Sequence, residues 1–171
     1  MSKVGIFYGS DGGTTSGIAH DIAMELNSRG WDTFVKDIAE ASVDQIETFD
    51  NLILGTSTMG MGVLQDDWEN VFNSLKQVNM SGKRVALFGT GDQKTYPDTF
   101  ADGIGVLFDT VSANNGKVVG RWSTDGYVFR ESNAVVDREF VGLVIDMDTQ
   151  PYHSSARIKD WLDKVLPEFH K

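Results

Sequence analysis

Three short loops contain the residues of this sequence that could bind a small molecule. The first is rich in glycine and hydroxyl groups and consists of Ser10, Asp11, Gly12, Gly13, Thr14 and Thr15. Glycines let backbone N–H groups converge on an anion, and the positive end of a following helix favours negative charge. The loop contains no lysine or arginine, and it matches neither the P-loop pattern nor the dinucleotide-binding spacing. It therefore suits one terminal phosphate held by neutral donors, although an ordinary helix cap explains the same residues equally well.

The second and third loops carry groups that suit a flat heteroaromatic ring. The second loop consists of Thr56, Ser57, Thr58, Met59, Gly60, Met61 and Gly62, and the third contains Thr90, Gly91, Asp92 and Tyr96. The methionines could cover a ring or simply fill gaps in the core, because their side chains are flexible. Tyr96 could stack on a ring or merely face solvent. Together with the first loop, these residues predict a phosphate site, an apolar clamp and an aromatic clamp.

The elements that position these loops follow from the alternation of apolar and amphipathic runs. Short apolar runs suit buried parallel strands, and apolar residues at helical spacing suit helices. We expect strands at 4–8, 31–35, 52–54, 84–88 and, in two pieces, 117–119 and 140–146, with helices at 18–30, 64–75, 100–113 and 156–166. This order predicts an α/β fold, a doubly wound sheet of five parallel strands with helices on both faces. All three loops then leave the carboxyl ends of strands, where such sheets bind ligands.

The remaining polar stretch, 121–139, shows no clear helical period. We interpret it as an insertion that interrupts the fifth strand of a single domain spanning residues 1–171. No apolar run approaches the roughly 20 residues of a membrane span. The start of the chain reads as a strand and not as a signal peptide, so we expect a cytoplasmic protein without membrane contact.

Composition excludes some classes of function. The chain has no cysteine, which rules out disulfides, cysteine-bound iron–sulfur clusters and thiol nucleophiles. Its three histidines show no metal-binding spacing. With 25 acidic and 15 basic residues the net charge is −10, which argues against nucleic acid as a partner. Such a charge could steer the protein towards basic partners, although many acidic proteins are merely soluble.

Several longer segments resemble the long-chain flavodoxins over essentially the whole chain. They are GIFYGSDGGTT, GVLQDDWE, FGTGDQKTYPDTFADGIG, GYVFRES, FVGLVIDMDTQP and RIKDWL. The resemblance implies the flavodoxin-like strand order 2-1-3-4-5 and a non-covalently bound FMN. The FMN phosphate would lie on the first loop, residues 10–15, and the second loop, 56–62, would cover the inner face of the isoalloxazine ring.

The resemblance also implies roles for single residues. Tyr96 would stack on the outer face of the ring, and Gly91 and Asp92 would bond its pyrimidine edge. Asp148 matches a position near the ribityl chain. Two features depart from the usual pattern: Met59 stands where many long-chain members have tryptophan, and the phosphate loop reads Ser-Asp-Gly-Gly-Thr-Thr where Thr-x-Thr-Gly-x-Thr is commoner.

The function implied is that of a low-potential, one-electron carrier with no substrate of its own. FMN supplies the redox chemistry, and Coulomb repulsion from the phosphate and an acidic protein would disfavour the second electron. We expect a monomer that forms transient complexes with basic docking faces of redox proteins. Donors would be reductases or oxidoreductases, and acceptors would be of the ferredoxin-dependent type, such as nitrogenase. Acidic residues near the loops would form a rim for these partners: Asp66, Asp67, Glu69, Asp98 and Asp102.

Two other functions are compatible with the fold class. An FMN-dependent quinone or azo reductase needs space for a substrate over the ring, which Met59 and Tyr96 would occupy. A phosphorylation receiver domain needs an aspartate at the end of the third strand, where this chain has Gly55 and Thr56. We therefore favour the electron carrier.

Overall fold

The computed structural model describes residues 2–59 and 63–171, except for the side chains of Met59 and Val63. Its strands are β1 (Lys3–Gly9), β2 (Asp32–Asp37), β3 (Asn51–Met59), β4 (Val63–Leu64), β5 (Arg84–Thr90), β6 (Lys117–Val119), β7 (Trp122–Ser123), β8 (Val135–Val136), β9 (Glu139–Phe140) and β10 (Leu143–Ile145). Its α-helices are α1 (Thr14–Ser28), α2 (Val43–Glu47), α3 (Asp66–Leu75), α4 (Asp102–Ala113) and α5 (Ser154–Val165). Short 3₁₀ turns precede and follow α5, at Pro151–His153 and Leu166–Glu168.

The main sheet has the strand order β2-β1-β3-β5-β10, and each of these neighbours is parallel. The predicted order 2-1-3-4-5 is therefore confirmed. The other end of β5 pairs with β6, so that β6 lies beside Arg84–Ala86 and β10 beside Phe88–Thr90. Residues 120–142 lie between these two strands and contain a small antiparallel sheet of order β7-β9-β8. The prediction that the fifth strand resumes at Phe140 was wrong, because Phe140 pairs with Trp122 and Val135 in the small sheet.

Helices cover both faces of the main sheet. Buried side chains of α1 and α5, such as Ile22 and Trp161, pack on one face. Those of α2, α3 and α4, such as Ile46, Trp68 and Ile104, pack on the other together with residues from the small sheet. Because both faces are covered, the middle of each central strand is apolar and buried, at 4–8, 52–54 and 85–88, as expected for parallel sheets.

Two local features differ from the sequence prediction. The short helix α2 was not predicted, although Ser42 and Gln45 form a capping box whose spacing the sequence shows. Helix α4 begins at Asp102 and not at residue 100, because Ala101 adopts a left-handed conformation with φ 56°. The glycines that weaken α4 as a helix are required by close approach: a Cβ at Gly103 would lie 2.8 Å from the Ser57 carbonyl oxygen, and one at Gly105 would lie 2.6 Å from that of Asn133.

Among the helices of residues 2–59 and 63–171, none is long and apolar enough to cross a membrane.

Candidate functional site

The three predicted loops meet in one cleft at the carboxyl ends of β1, β3 and β5. A direct link between them is the buried hydrogen bond between the hydroxyls of Thr15 and Thr90, 2.8 Å apart. The cleft is lined by Ser10, Asp11, Gly12, Thr14, Thr15, Ser57, Thr58, Thr90, Gly91, Asp92, Tyr96, Met147 and Asp148. All of these except Met147 were candidates from the sequence. Of the remaining candidates, Gly13 and Thr56 lie outside the lining, the Met59 side chain is not described, and Gly60, Met61 and Gly62 lie outside the described residues.

The first loop contributes backbone and hydroxyl groups to the cleft. Gly13 forms the N-cap of α1 with φ 85°, no side chain caps this helix, and Ser10 Oγ accepts the Gly13 N–H at 3.1 Å. The first helical bond runs from Gly17 N to Gly13 O, so the amides of residues 14–16 precede the helical ladder. The cap explanation for the threonines therefore fails. Thr14 is exposed at the cleft, whereas Thr15 is 1% exposed and turned towards Thr90.

Asp11 is held by a residue that the sequence analysis missed. Gln65, fully buried at the N-cap of α3, donates from Nε2 to an Asp11 carboxylate oxygen at 3.0 Å. Its Oε1 accepts the N–H groups of Asp67 and Trp68, which begin the helix. A Cβ at Gly9 would lie 2.1 Å from this Oε1 and 2.7 Å from Trp68 Cδ1, so a larger residue at the end of β1 would displace Gln65 from this position. Nothing in the sequence pointed to Gln65, because it falls inside the predicted helix 64–75, glutamine is not a preferred N-cap residue, and its partner Asp11 is distant in the chain.

The second loop is anchored to α4. Thr58 Oγ1 accepts the Gly103 N–H at 2.8 Å, and Thr56 is buried with its hydroxyl donating to the Ser57 carbonyl. The buried Ser57 Oγ borders the cleft and has no hydrogen-bond partner among the described residues. An unpaired buried hydroxyl is costly, so Ser57 is suited to bond a molecule in the cleft.

The third loop folds around Asp92. Its Oδ1 accepts the N–H groups of Lys94 and Thr95 at 3.0 and 2.9 Å, and its carbonyl accepts that of Tyr96. Desolvation acts to raise the pKa of Asp92, but the hydrogen bonds from Thr95 and Lys94 and the Lys94 charge outweigh it, so the pKa lies below its ordinary value. Tyr96 is left 50% exposed at the cleft. A half-exposed aromatic ring at the edge of the cleft is available to stack on a planar ligand.

The turn after β10 closes the remaining side of the cleft. Burial, followed by repulsion from Asp92 and Asp146, raises the pKa of Asp148. Met147, which the sequence analysis missed, lines the cleft beside it, and its sulfur accepts a hydrogen bond from Ser154 Oγ at 3.0 Å. Adjacency to Asp148 was the only sequence signal for Met147.

The charges at the site are negative or absent. None of the lining side chains is basic, and no group of residues in the described part of the chain could hold a metal ion. The acidic rim predicted beside the loops is incomplete, because Asp102 is 4% exposed and accepts the Asn133 N–H at 2.7 Å. Burial is also the main reason why the pKa of Asp102 is raised. The prediction that Asp102 faces partners was therefore wrong.

The model of the flavodoxin family matches residues 6–161. The chain belongs to the flavodoxin family. It is 43% identical to the flavodoxin of Synechococcus elongatus, with 99% of both chains covered, and 40% identical to that of Klebsiella pneumoniae, with 99% of this chain and 96% of the relative covered.

Solved structures of flavodoxins have the same fold. The flavodoxin of Fusobacterium nucleatum bound to flavin mononucleotide is similar with a TM-score of 0.94 and 36% identity, over 99% of this chain and 100% of that one. Oxidised Flavodoxin 1 from Bacillus cereus is 20% identical with a TM-score of 0.74, over 99% of this chain and 100% of that one. At that identity the second likeness shows the fold alone.

Proposed function

We propose that this protein binds one FMN in the cleft and carries single electrons between larger redox proteins. The observation that carries the proposal is the convergence in one cleft of a phosphate-type loop, a half-exposed tyrosine and a buried serine hydroxyl that has no partner in the described part of the chain. Membership of the flavodoxin family, and the FMN bound to the Fusobacterium nucleatum relative, support the same cofactor. When bound, FMN supplies the redox chemistry, while this chain binds and orients it.

The first loop fits the terminal phosphate of FMN. Ser10, Gly12 and Thr14 line the cleft, and the amides of the first turn of α1 precede the helical ladder. The positive end of a helix of this length favours an anion there. Riboflavin lacks the phosphate group, so it gains nothing from these donors.

The second and third loops fit the isoalloxazine ring. Tyr96 would stack on its outer face, while Ser57, Thr58, Gly91 and Asp92 offer polar groups to its edge. Thr90 and Asp148 border the space between ring and phosphate, where the ribityl chain would lie. The proposed cover of the inner face, from Met59 to Gly62, depends on groups outside the described residues.

The charge around the cleft supports a low-potential carrier. Asp92 and Asp148 line it, and the buried Asp146 lies directly behind them. At an effective dielectric constant near 20, two unit charges about 4 Å apart interact by roughly 4 kcal/mol. Negative charge added to the cofactor is thus opposed, and the second electron more than the first.

The proposed partners are redox proteins with basic docking faces, bound transiently by a monomer. The first turn of α3 contributes Asp66, Asp67 and Glu69, of which Asp66 and Glu69 are exposed. Acidic residues in a first turn also stabilise the helix through its dipole, so a test of docking needs a control acid at the start of another helix. Asp44 provides one, because it is an exposed acid in the first turn of α2.

That test compares Asp66→Lys and Asp44→Lys in stopped-flow electron transfer to cytochrome c, used as a basic probe. We expect Asp66→Lys to slow the reaction at low salt and to matter less as salt screens the charges, with little change for Asp44→Lys. Equal effects of the two variants would contradict a docking role for α3.

The cofactor and the one-electron role are tested by reconstitution with FMN and stepwise reduction under anaerobic conditions. We expect two separate one-electron steps in the absorbance spectrum, the second at the lower potential. A single two-electron step, failure to bind FMN, or rapid NAD(P)H consumption by the isolated protein would refute the proposal.

A further inference from the structure

A buried carboxylate behind the cleft joins the two loops that border it. Asp146 directly follows β10 and is 0% exposed. Its Oδ2 accepts the backbone N–H of Gln93 at 3.0 Å, Gln93 Nε2 at 2.8 Å and Thr149 Oγ1 at 2.6 Å. Its Oδ1 accepts the N–H groups of Asp148 and Thr149 at 3.1 and 2.9 Å. All of these donors come from the third loop or from the turn after β10.

The Gln93 amide is fixed at both of its ends. Nε2 donates to Asp146 and to Thr149 Oγ1, the latter at 3.0 Å, while Oε1 accepts the Val128 N–H at 2.5 Å. The side chain is 6% exposed and lies between Asp92 and Tyr96 in the chain. Gln93 thus pins the third loop to the body of the protein, and Asp146 is its main acceptor.

We propose that Asp146 is a positioning residue for the cofactor site. Its carboxylate holds Tyr96 and Asp92, through Gln93, at a fixed distance from the Met147–Asp148 turn on the other side of the cleft. It does not line the cleft and so acts only through these neighbours. The inference rests on the proposed binding of FMN and names the group that shapes its site.

An asparagine cannot replace this carboxylate. If its NH₂ group takes the place of Oδ2, it meets both N–H donors of Gln93; if it takes the place of Oδ1, it meets the N–H groups of Asp148 and Thr149. Gln93 cannot turn its amide without losing the bond from Val128. Either way, two donors lose their acceptor, both of them buried in the first case and partly buried in the second, and such donors are costly to leave unpaired.

The experiment compares Asp146→Asn with Asn51→Ala in the FMN-loaded protein. Asn51 is 3% exposed, bonds the His170 backbone at the opposite edge of the sheet, and serves as a buried polar control. We expect Asp146→Asn to weaken FMN binding by about tenfold or more, because the third loop would no longer be held in place in the free protein and would have to be ordered when FMN binds. At saturating FMN, the flavin fluorescence should also be less quenched, because Tyr96 no longer stacks firmly. Asn51→Ala should lower stability while leaving both readouts unchanged.

Further variants separate positioning from general damage. Gln93→Met should reproduce both effects without altering the carboxylate. This variant also tests the inference if Asp146→Asn does not fold. When Gln93→Met is combined with Tyr96→Leu, the losses in FMN affinity should be less than additive, because both substitutions act on the third loop. Wild-type quenching and affinity in Gln93→Met, or full additivity, would overturn the inference while the proposed function stands. Failure of the wild type to bind FMN would instead refute the proposed function.

Discussion

Valine substitutions at Thr14 and Thr15 should both weaken FMN binding, but they should differ in their effects on riboflavin binding and on protein stability. The two threonines are adjacent, but Thr14 is exposed at the cleft whereas Thr15 is buried against Thr90. Valine has the shape of threonine without its hydroxyl, so each variant removes one hydrogen-bonding group and little else.

Thr14→Val should weaken FMN by the value of one hydrogen bond to a charged group, roughly 1.5–3 kcal/mol, or about 10- to 150-fold in Kd. Riboflavin, which lacks the phosphate, should bind as it does to the wild type. The free energy of unfolding of the apoprotein should not change, because the Thr14 side chain is exposed.

Thr15→Val should instead leave the Thr90 hydroxyl, 7% exposed, without its partner 2.8 Å away. We expect the apoprotein to lose roughly 1–3 kcal/mol of stability, the usual cost of an unsatisfied buried group. Because Thr90 begins the third loop, FMN and riboflavin should weaken to a similar extent.

Fluorescence titration with both ligands and urea unfolding of the apoprotein measure these quantities. Equal losses of FMN and riboflavin affinity in Thr14→Val would refute the phosphate assignment of the first loop. An undiminished unfolding free energy in Thr15→Val would refute the role given to the Thr15–Thr90 bond.

Three further predictions follow from single contacts. Burial and nearby carboxylates raise the pKa of Asp148, so the folded protein loses stability when Asp148 ionises as the pH rises. Asp148→Asn should therefore raise the urea midpoint of the apoprotein at pH 7, but not at a pH below 3.8, the ordinary pKa of the side chain. Tyr127→Phe should lower the free energy of unfolding by roughly 1–3 kcal/mol, because the Tyr127 hydroxyl donates to the Val144 carbonyl at 2.5 Å and is buried, which raises its pKa to about 12. No change in urea unfolding would contradict this. Arg138 has a left-handed backbone conformation with φ 70°. Arg138→Gly should stabilise the protein by about 0.5–1 kcal/mol, because the strain that is relieved exceeds the extra backbone entropy that glycine loses on folding. A lower Tm of the variant would contradict this.

The sequence alone determined the sheet and the place of the cleft. Apolar strands alternate with amphipathic helices along the chain, and this local periodicity predicts a parallel sheet without any long-range information. Loops that leave the carboxyl ends of such strands must meet at one edge, so the cleft residues of the three loops were predictable from their types and order, whereas Asp148 followed only from the family resemblance and Met147 was missed. Ser57, Asp92 and Tyr96 all line the cleft as expected.

Only the tertiary structure decided which polar groups face the cleft and which are used within the protein. Thr15 and Thr90 are 75 residues apart, and Gln65 is 54 residues from Asp11, yet each pair is hydrogen-bonded. Such pairs leave no periodic signal, because a buried donor or acceptor can be satisfied by any group that the fold brings within reach. The same reason hid the burial of Asp102, whose partner belongs to the segment between β6 and β10. The sequence names the polar residues near the site, and the packing of distant segments determines which of them remain free for a ligand.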